Sequence, residues 1–133
     1  MYVDVIKTDY QRCGTAVKVD STVTSIETGA FNGWHALRTI NLPQMITTIG
    51  DDAFRGCSSL ASITLPNSIT TLGDEAFYEC SSLVSITLPN SITTLDGYIF
   101  YECSSLASIT LPPNITTLRH NVFSSAGWGG AGC

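Results

Sequence analysis

The chain has 133 residues, 44% hydrophobic and only 13% charged, with a net charge of −5. That length suits one modest domain, and that hydrophobicity excludes a disordered chain. Six Lys and Arg against eleven Asp and Glu exclude a basic face for nucleic acid, and no apolar run reaches the roughly 18 residues of a membrane-spanning helix.

The N-terminal stretch, Met1-Tyr-Val-Asp-Val-Ile-Lys7, has neither the basic start nor the apolar core of an export signal. Two readings follow: a chain not exported by that route, or a processed or trimmed piece. The compartment stays open. Residues 1–16 hold short apolar stretches at 2–6 and 15–19 and read as an N-terminal cap, a hairpin being one form of it. From residue 17 onward a repeat takes over. All five Phe, at 31, 54, 77, 100 and 123, are 23 residues apart, which is the mark of a repeat protein. Copies begin at Val23, Ile46, Ile69, Ile92 and Ile115, and half a copy precedes the first, where Val17 and Val19 match Ile40 and Leu42. The last copy breaks off after Phe123. The glycine-rich residues 124–133 read as a mobile tail.

Each unit alternates two periods. Leu60, Ile63 and Leu65, with Ser62 and Thr64 between, predict a short strand with one buried face, ended by Pro66-Asn67. Residues 46–49, Ile-Thr-Thr-Ile, are β-branched and suit a second short strand. Ala53, Phe54, Cys57 and Leu60 follow spacings of 3 and 4, which predicts one or two helical turns. Asp51 and Asp52 stand at their start, where carboxylates suit free N–H groups. One coil cannot bury Ile46, Ile49, Ala53, Phe54, Cys57, Leu60, Ile63 and Leu65 alone, but stacked coils can. At about 4.8 Å per coil, about four and a half coils span roughly 20–25 Å.

Cys57, Cys80 and Cys103 share the repeat spacing, whereas Cys13 and Cys133 lie outside it. Zinc sites favour Cys pairs two to four apart, so a ladder of buried thiols is the expected arrangement, with a disulfide between neighbouring coils geometrically conceivable. No metal or cofactor is expected. His35 and His120, the only histidines, are nearly four units apart, and no nucleophile elbow, zinc-protease or phosphate-loop motif occurs. The chain is therefore not expected to be an enzyme. Asp51-Asp52 and Asp74-Glu75 could hold Ca²⁺ weakly, but the EF-hand pattern is missing and capping accounts for them better. Asn114-Ile115-Thr116 is a glycosylation sequon for a chain passing a eukaryotic secretory route. The column Thr24, Thr47, Thr70, Thr93 and Thr116 resembles the threonine rows of ice-binding proteins, though a curved array fits ice poorly.

Leu60-x-x-Ile63-x-Leu65 matches the strand core of a leucine-rich repeat. Residues 49–66, Ile-Gly-Asp-Asp-Ala-Phe-Arg-Gly-Cys-Ser-Ser-Leu-Ala-Ser-Ile-Thr-Leu-Pro, resemble more closely the BspA-like class, marked by an Ala-Phe-x-x-Cys turn and a Pro closing the strand. The resemblance covers residues 17–123 and departs from the common leucine-rich pattern where Met45, Ser68, Ser91 and Asn114 replace an asparagine ladder. It implies an α/β solenoid, a short right-handed array with one strand and a short helical turn per coil and a concave parallel sheet. It also implies protein binding or adhesion without catalysis, in a family often found at cell surfaces.

On such a fold the concave face would present Thr39, Ser62, Ser85 and Ser108 in one column and Asn41, Thr64, Thr87 and Thr110 in the next. These are the first candidates for a partner-binding surface, though Trp, Tyr and Arg are absent from them. The second candidate is the outer side of the Ala-Phe-x-x-Cys turn, where Tyr78-Glu79 and Tyr101-Glu102 stack beside Arg55-Gly56. Residues 41–118 carry Arg55 against Asp51, Asp52, Asp74, Glu75, Glu79, Asp96 and Glu102. That acidity serves solubility or a basic partner. The unfinished last repeat adds an alternative: a self-assembling or scaffold subunit joining end to end, with Trp128 as a makeshift lid.

Overall fold

The computed structural model describes residues 16–95 and 97–123. The expected cap over residues 1–15, the tail over 124–133 and the readings of Cys13, Cys133, Trp128 and Asp96 lie outside the described residues.

The alternation of exposed Ser or Thr with buried Ile or Leu produces the predicted strands, and they stack one repeat apart. A first strand row holds β1 (Ala16–Lys18), β3 (Thr39–Asn41), β6 (Ser85–Thr87) and β8 (Ser108–Thr110). A second holds β2 (Ser25–Ile26), β4 (Thr48–Ile49), β5 (Thr71–Leu72), β7 (Thr94–Leu95) and β9 (Thr117–Leu118). Every pairing is parallel and joins residues 23 apart, as in Val17 with Ile40 and Thr48 with Thr71. The stretch 46–49 thus contributes a real second strand, so most coils carry two strands rather than one.

The rows are not continuous sheets. β3 pairs with β1 and β6 with β8, while residues 62–65 between them keep their burial alternation without joining either pair. On the second row β2, β4 and β5 form one ladder and β7 and β9 another, with a break between β5 and β7. The expected parallel strand pairing is present, divided into short ladders. The breaks are staggered, so where one strand row opens the other is paired.

The predicted helical turns do not form; among the described residues the one helical segment is a 3-10 turn at His120–Val122. Hydrogen bonding explains why. Asp52, Phe54 and Gly56 send their N–H groups to the C=O groups of Asp74, Ala76 and Tyr78 in the next coil, at 2.9, 2.8 and 2.8 Å. The intervening Ala53, Arg55 and Cys57 send theirs back to Gly50, Asp52 and Phe54, at 3.3, 3.2 and 3.1 Å. An α-helix would turn every N–H onto its own coil. Here alternate groups serve the neighbour, and that geometry needs left-handed residues, found at Asp52 (φ 57°) and Gly56 (φ 73°). The spacing of 3 and 4 read from the sequence is a burial pattern that overlapping turns satisfy as well as a helix does. The aspartates shift role accordingly: Asp51 Oδ1 accepts the N–H of Asp74 in the next coil, at 2.8 Å.

The core lies between the rows. Phe31, Phe54, Phe77, Phe100 and Phe123 stack nearly parallel, with centroids 5.2, 5.4, 5.7 and 6.0 Å apart along the column. Cys57, Cys80 and Cys103 are buried beside them, and all three are thiols rather than disulfide halves. Each thiol donates to the carbonyl of the Phe one coil back: Cys57 to Phe31 at 3.2 Å, Cys80 to Phe54 and Cys103 to Phe77 at 3.1 Å. Burial raises Cys80 well above an ordinary thiol, and Cys103 is pushed up to about 12. These groups are donors and packing atoms, not nucleophiles. Where an asparagine ladder is missing, serine substitutes: the hydroxyls of Ser68 and Ser91 donate to the carbonyls of Ile46 and Ile69.

Candidate interaction surfaces

The outer side of the turns forms a third row. Stacking brings Arg55, Tyr78 and Tyr101 into one column, since each follows its coil's Phe directly. Tyr78 and Tyr101 stack with centroids 5.1 Å apart. The Arg55 guanidinium lies 4.4 Å over the Tyr78 ring, on the side away from Tyr101's coil. Two carboxylates hold it there: its Nη1 is 2.6 Å from Glu75 and 3.3 Å from Asp52. Tyr98, 44% exposed, meets Tyr101 edge to face at 5.4 Å. Burial, together with the Glu102 carboxylate and Tyr101, holds the Tyr78 phenol above its ordinary range.

The next column reads Gly33, Gly56, Glu79 and Glu102, and all four are left-handed, at φ 75, 73, 59 and 58°. Glycine takes that conformation freely; for an L-residue it costs on the order of 1 kcal/mol. Glu79 and Glu102 are exposed and have no ion-pair partner among the described residues. Beside this column runs a groove of about 420 Å³ lined by His35, Gly56, Ser58, Glu79, Glu102 and Ser104. The structure thus brings together Tyr78, Glu79, Tyr101 and Glu102 as the sequence predicts, with Arg55 beside them. It adds Tyr98, which sequence reasoning missed. The available signal was its place three residues before Tyr101, as Asp52 precedes Arg55.

The first strand row presents Thr39, Asn41, Ser62, Thr64, Ser85, Thr87, Ser108 and Thr110, all exposed. They lie in the two predicted columns but not on one sheet. A cleft of about 290 Å³ opens between residues 62–67 and 85–89, where the ladder is broken. In the second row, the hydroxyls of Thr47, Thr70 and Thr116 donate to the carbonyls of Thr24, Thr47 and Thr93, at 3.3, 3.3 and 3.2 Å. The threonine column is thereby a structural ladder, and the break at β5–β7 interrupts it as a flat face. His35 Nδ1 lies 3.2 Å from Ser58 Oγ. Among the described residues no group of three or more metal-ligating side chains converges, and no helix is long and apolar enough to cross a membrane.

The repeat geometry has a counterpart in sequence families: the model of the BspA type leucine rich repeat region matches residues 9–127 in six copies. The chain belongs to this family. Solved structures agree with the assignment. A leucine-rich repeat protein from Eubacterium ventriosum is similar with a TM-score of 0.67 and 26% identity, over 85% of this chain and 38% of that one. A leucine rich cell surface protein from Faecalibacterium prausnitzii gives 0.58 and 26%, over 85% of this chain and 35% of that one. The T. pallidum leucine rich repeat protein, at 24% identity and a TM-score of 0.51 over 79% of this chain and 73% of that one, shares the fold. No curated protein matches the chain. This BspA-type array spans well under half the length of the first two relatives.

Proposed function

We propose that this BspA-type array is a non-catalytic protein-interaction module that engages its partner through the turn row around Tyr78, Tyr98 and Tyr101. One observation carries the reading: Arg and Tyr side chains, the types enriched in binding hot spots, are gathered into one contacting cluster on that row. The strand-row columns consist of Ser, Thr and Asn and offer no such anchor. Leucine-rich repeat proteins of this kind are generally protein-binding and non-catalytic. The cell-surface assignment of the F. prausnitzii relative supports adhesion as the setting.

A second reading keeps the strand row, because the cleft beside Ser62, Thr64, Ser85 and Thr87 is open to solvent. Partner capture with two double variants separates the readings. Tyr78→Ala with Tyr101→Ala is expected to abolish capture, while Thr64→Arg with Thr87→Arg leaves it intact. The reverse outcome moves the site to the strand row.

A further inference from the structure

We infer that the partner's contacting segment is an extended stretch bearing Lys or Arg, laid along the turn-row groove against Glu79, Glu102 and the tyrosine stack. The inference rests on the turn-row reading above and adds the chemistry of the occupant.

Charge complementarity points to a cation. Arg55 is the only Lys or Arg between residues 41 and 118, against seven carboxylates. It is already engaged by Asp52, Glu75 and the Tyr78 ring. Glu79 and Glu102 remain unneutralised, one coil apart in the same column, where like charges repel. A cation placed between them relieves that repulsion. The groove they line draws residues from His35 in one coil to Glu102 and Ser104 three repeats later, so it runs along the stacking axis. It therefore suits an extended segment rather than a single side chain.

The molecule itself supplies a precedent for how a cation is held on this row. Arg55 sits with its guanidinium over a tyrosine face and a nitrogen 2.6 Å from the carboxylate of the following coil. Glu79 and Glu102 repeat the carboxylate half of that arrangement in the next column, beside the tyrosine stack, and have no ion-pair partner among the described residues. A carbohydrate partner fits less well, because the Tyr78 ring is already covered by Arg55 and stacked on Tyr101. A divalent cation lacks a third converging ligand among the described residues.

The test is an amide NMR titration of the full chain with an octalysine peptide, with octaglutamate as the control. The expected result is that Tyr78, Glu79, Tyr101, Glu102 and Ser104 shift first. Glu79→Gln with Glu102→Gln should weaken binding at least tenfold. Asp20→Asn with Glu27→Gln removes the same charge elsewhere and should change it less than twofold. Glu79→Gly with Glu102→Gly restores the residue of Gly33 and Gly56, relieves the left-handed backbone and should match the glutamine pair. Equal weakening by the two charge-matched pairs, or shifts spread over other faces, overturns the inference as bulk attraction to an acidic chain. With a captured partner, retention by the glutamine pair but loss by Tyr78→Ala with Tyr101→Ala overturns the basic segment and leaves the turn-row reading standing. Retention by both overturns that reading too.

Discussion

The turn row and the strand rows solve the same problem of stacking one coil on the next, and they solve it unequally. Along the turns, the pattern that joins Phe31 to Ala53 recurs from Phe54 to Ala76, from Phe77 to Ile99 and from Phe100 to Val122, all at 2.8 to 3.0 Å. The strand rows each lose their ladder somewhere, the first around residues 62–65 and the second between β5 and β7. The difference teaches that the turns, with their Phe and Cys columns, set the register of this solenoid. The strands can open locally because the coils are already held elsewhere.

The comparison can be broken most forcefully in the core. Phe77→Ala removes a ring stacked on both sides and is expected to cost about 4 kcal/mol in urea unfolding, whereas Ile63→Ala, in the open strand segment, should cost about 2 kcal/mol. Equal costs would remove the distinction. Alkaline pH probes the same column. The Cys80 and Cys103 thiols are raised in the folded state, so their stabilising contribution is complete below the unfolded thiol pKa, near 9. For Cys103 it declines as pH rises from there toward the folded value of about 12. Unfolding monitored from about pH 8 to about pH 10.5 should show a loss of roughly 2 kcal/mol from Cys103, with Cys80 adding to it in the same direction. A flat profile would mean that the thiols are not held in the protonated form. Cys80→Ala, which deletes the donor to Phe54 O and a little volume, is expected to cost about 1–2 kcal/mol. At the small end, Thr64→Arg with Thr87→Arg should shift stability by no more than about 0.5 kcal/mol each, since both side chains are exposed.

Much of this was readable from one repeat spacing. Because each buried position recurs every 23 residues, Phe54, Cys57, Leu60, Ile63 and Leu65 could be placed inward before any coordinates, and all are buried. The columns Tyr78–Tyr101 and Glu79–Glu102 followed from the same register. The turn conformation did not. Ala53, Phe54, Cys57 and Leu60 have helical spacing, but their N–H groups are divided between two coils, and sequence period reports burial without reporting hydrogen-bond direction. The left-handed backbone at Glu79 and Glu102 was equally hidden, because glutamate gives no signal for it where glycine does. Nor do residues 62–65 differ in kind from 85–88, so nothing in their side chains foretold the open ladder.

Amide hydrogen exchange tests the central claim most directly. The N–H groups of Phe54, Phe77 and Phe100 each reach a carbonyl of the next coil, while those of Ile63, Thr64 and Leu65 have no backbone acceptor among the described residues. The three Phe amides are predicted to exchange at least a hundredfold more slowly than the three strand-segment amides. Equal protection of the two sets, or faster exchange at the Phe positions, would contradict a solenoid held in register by its turns.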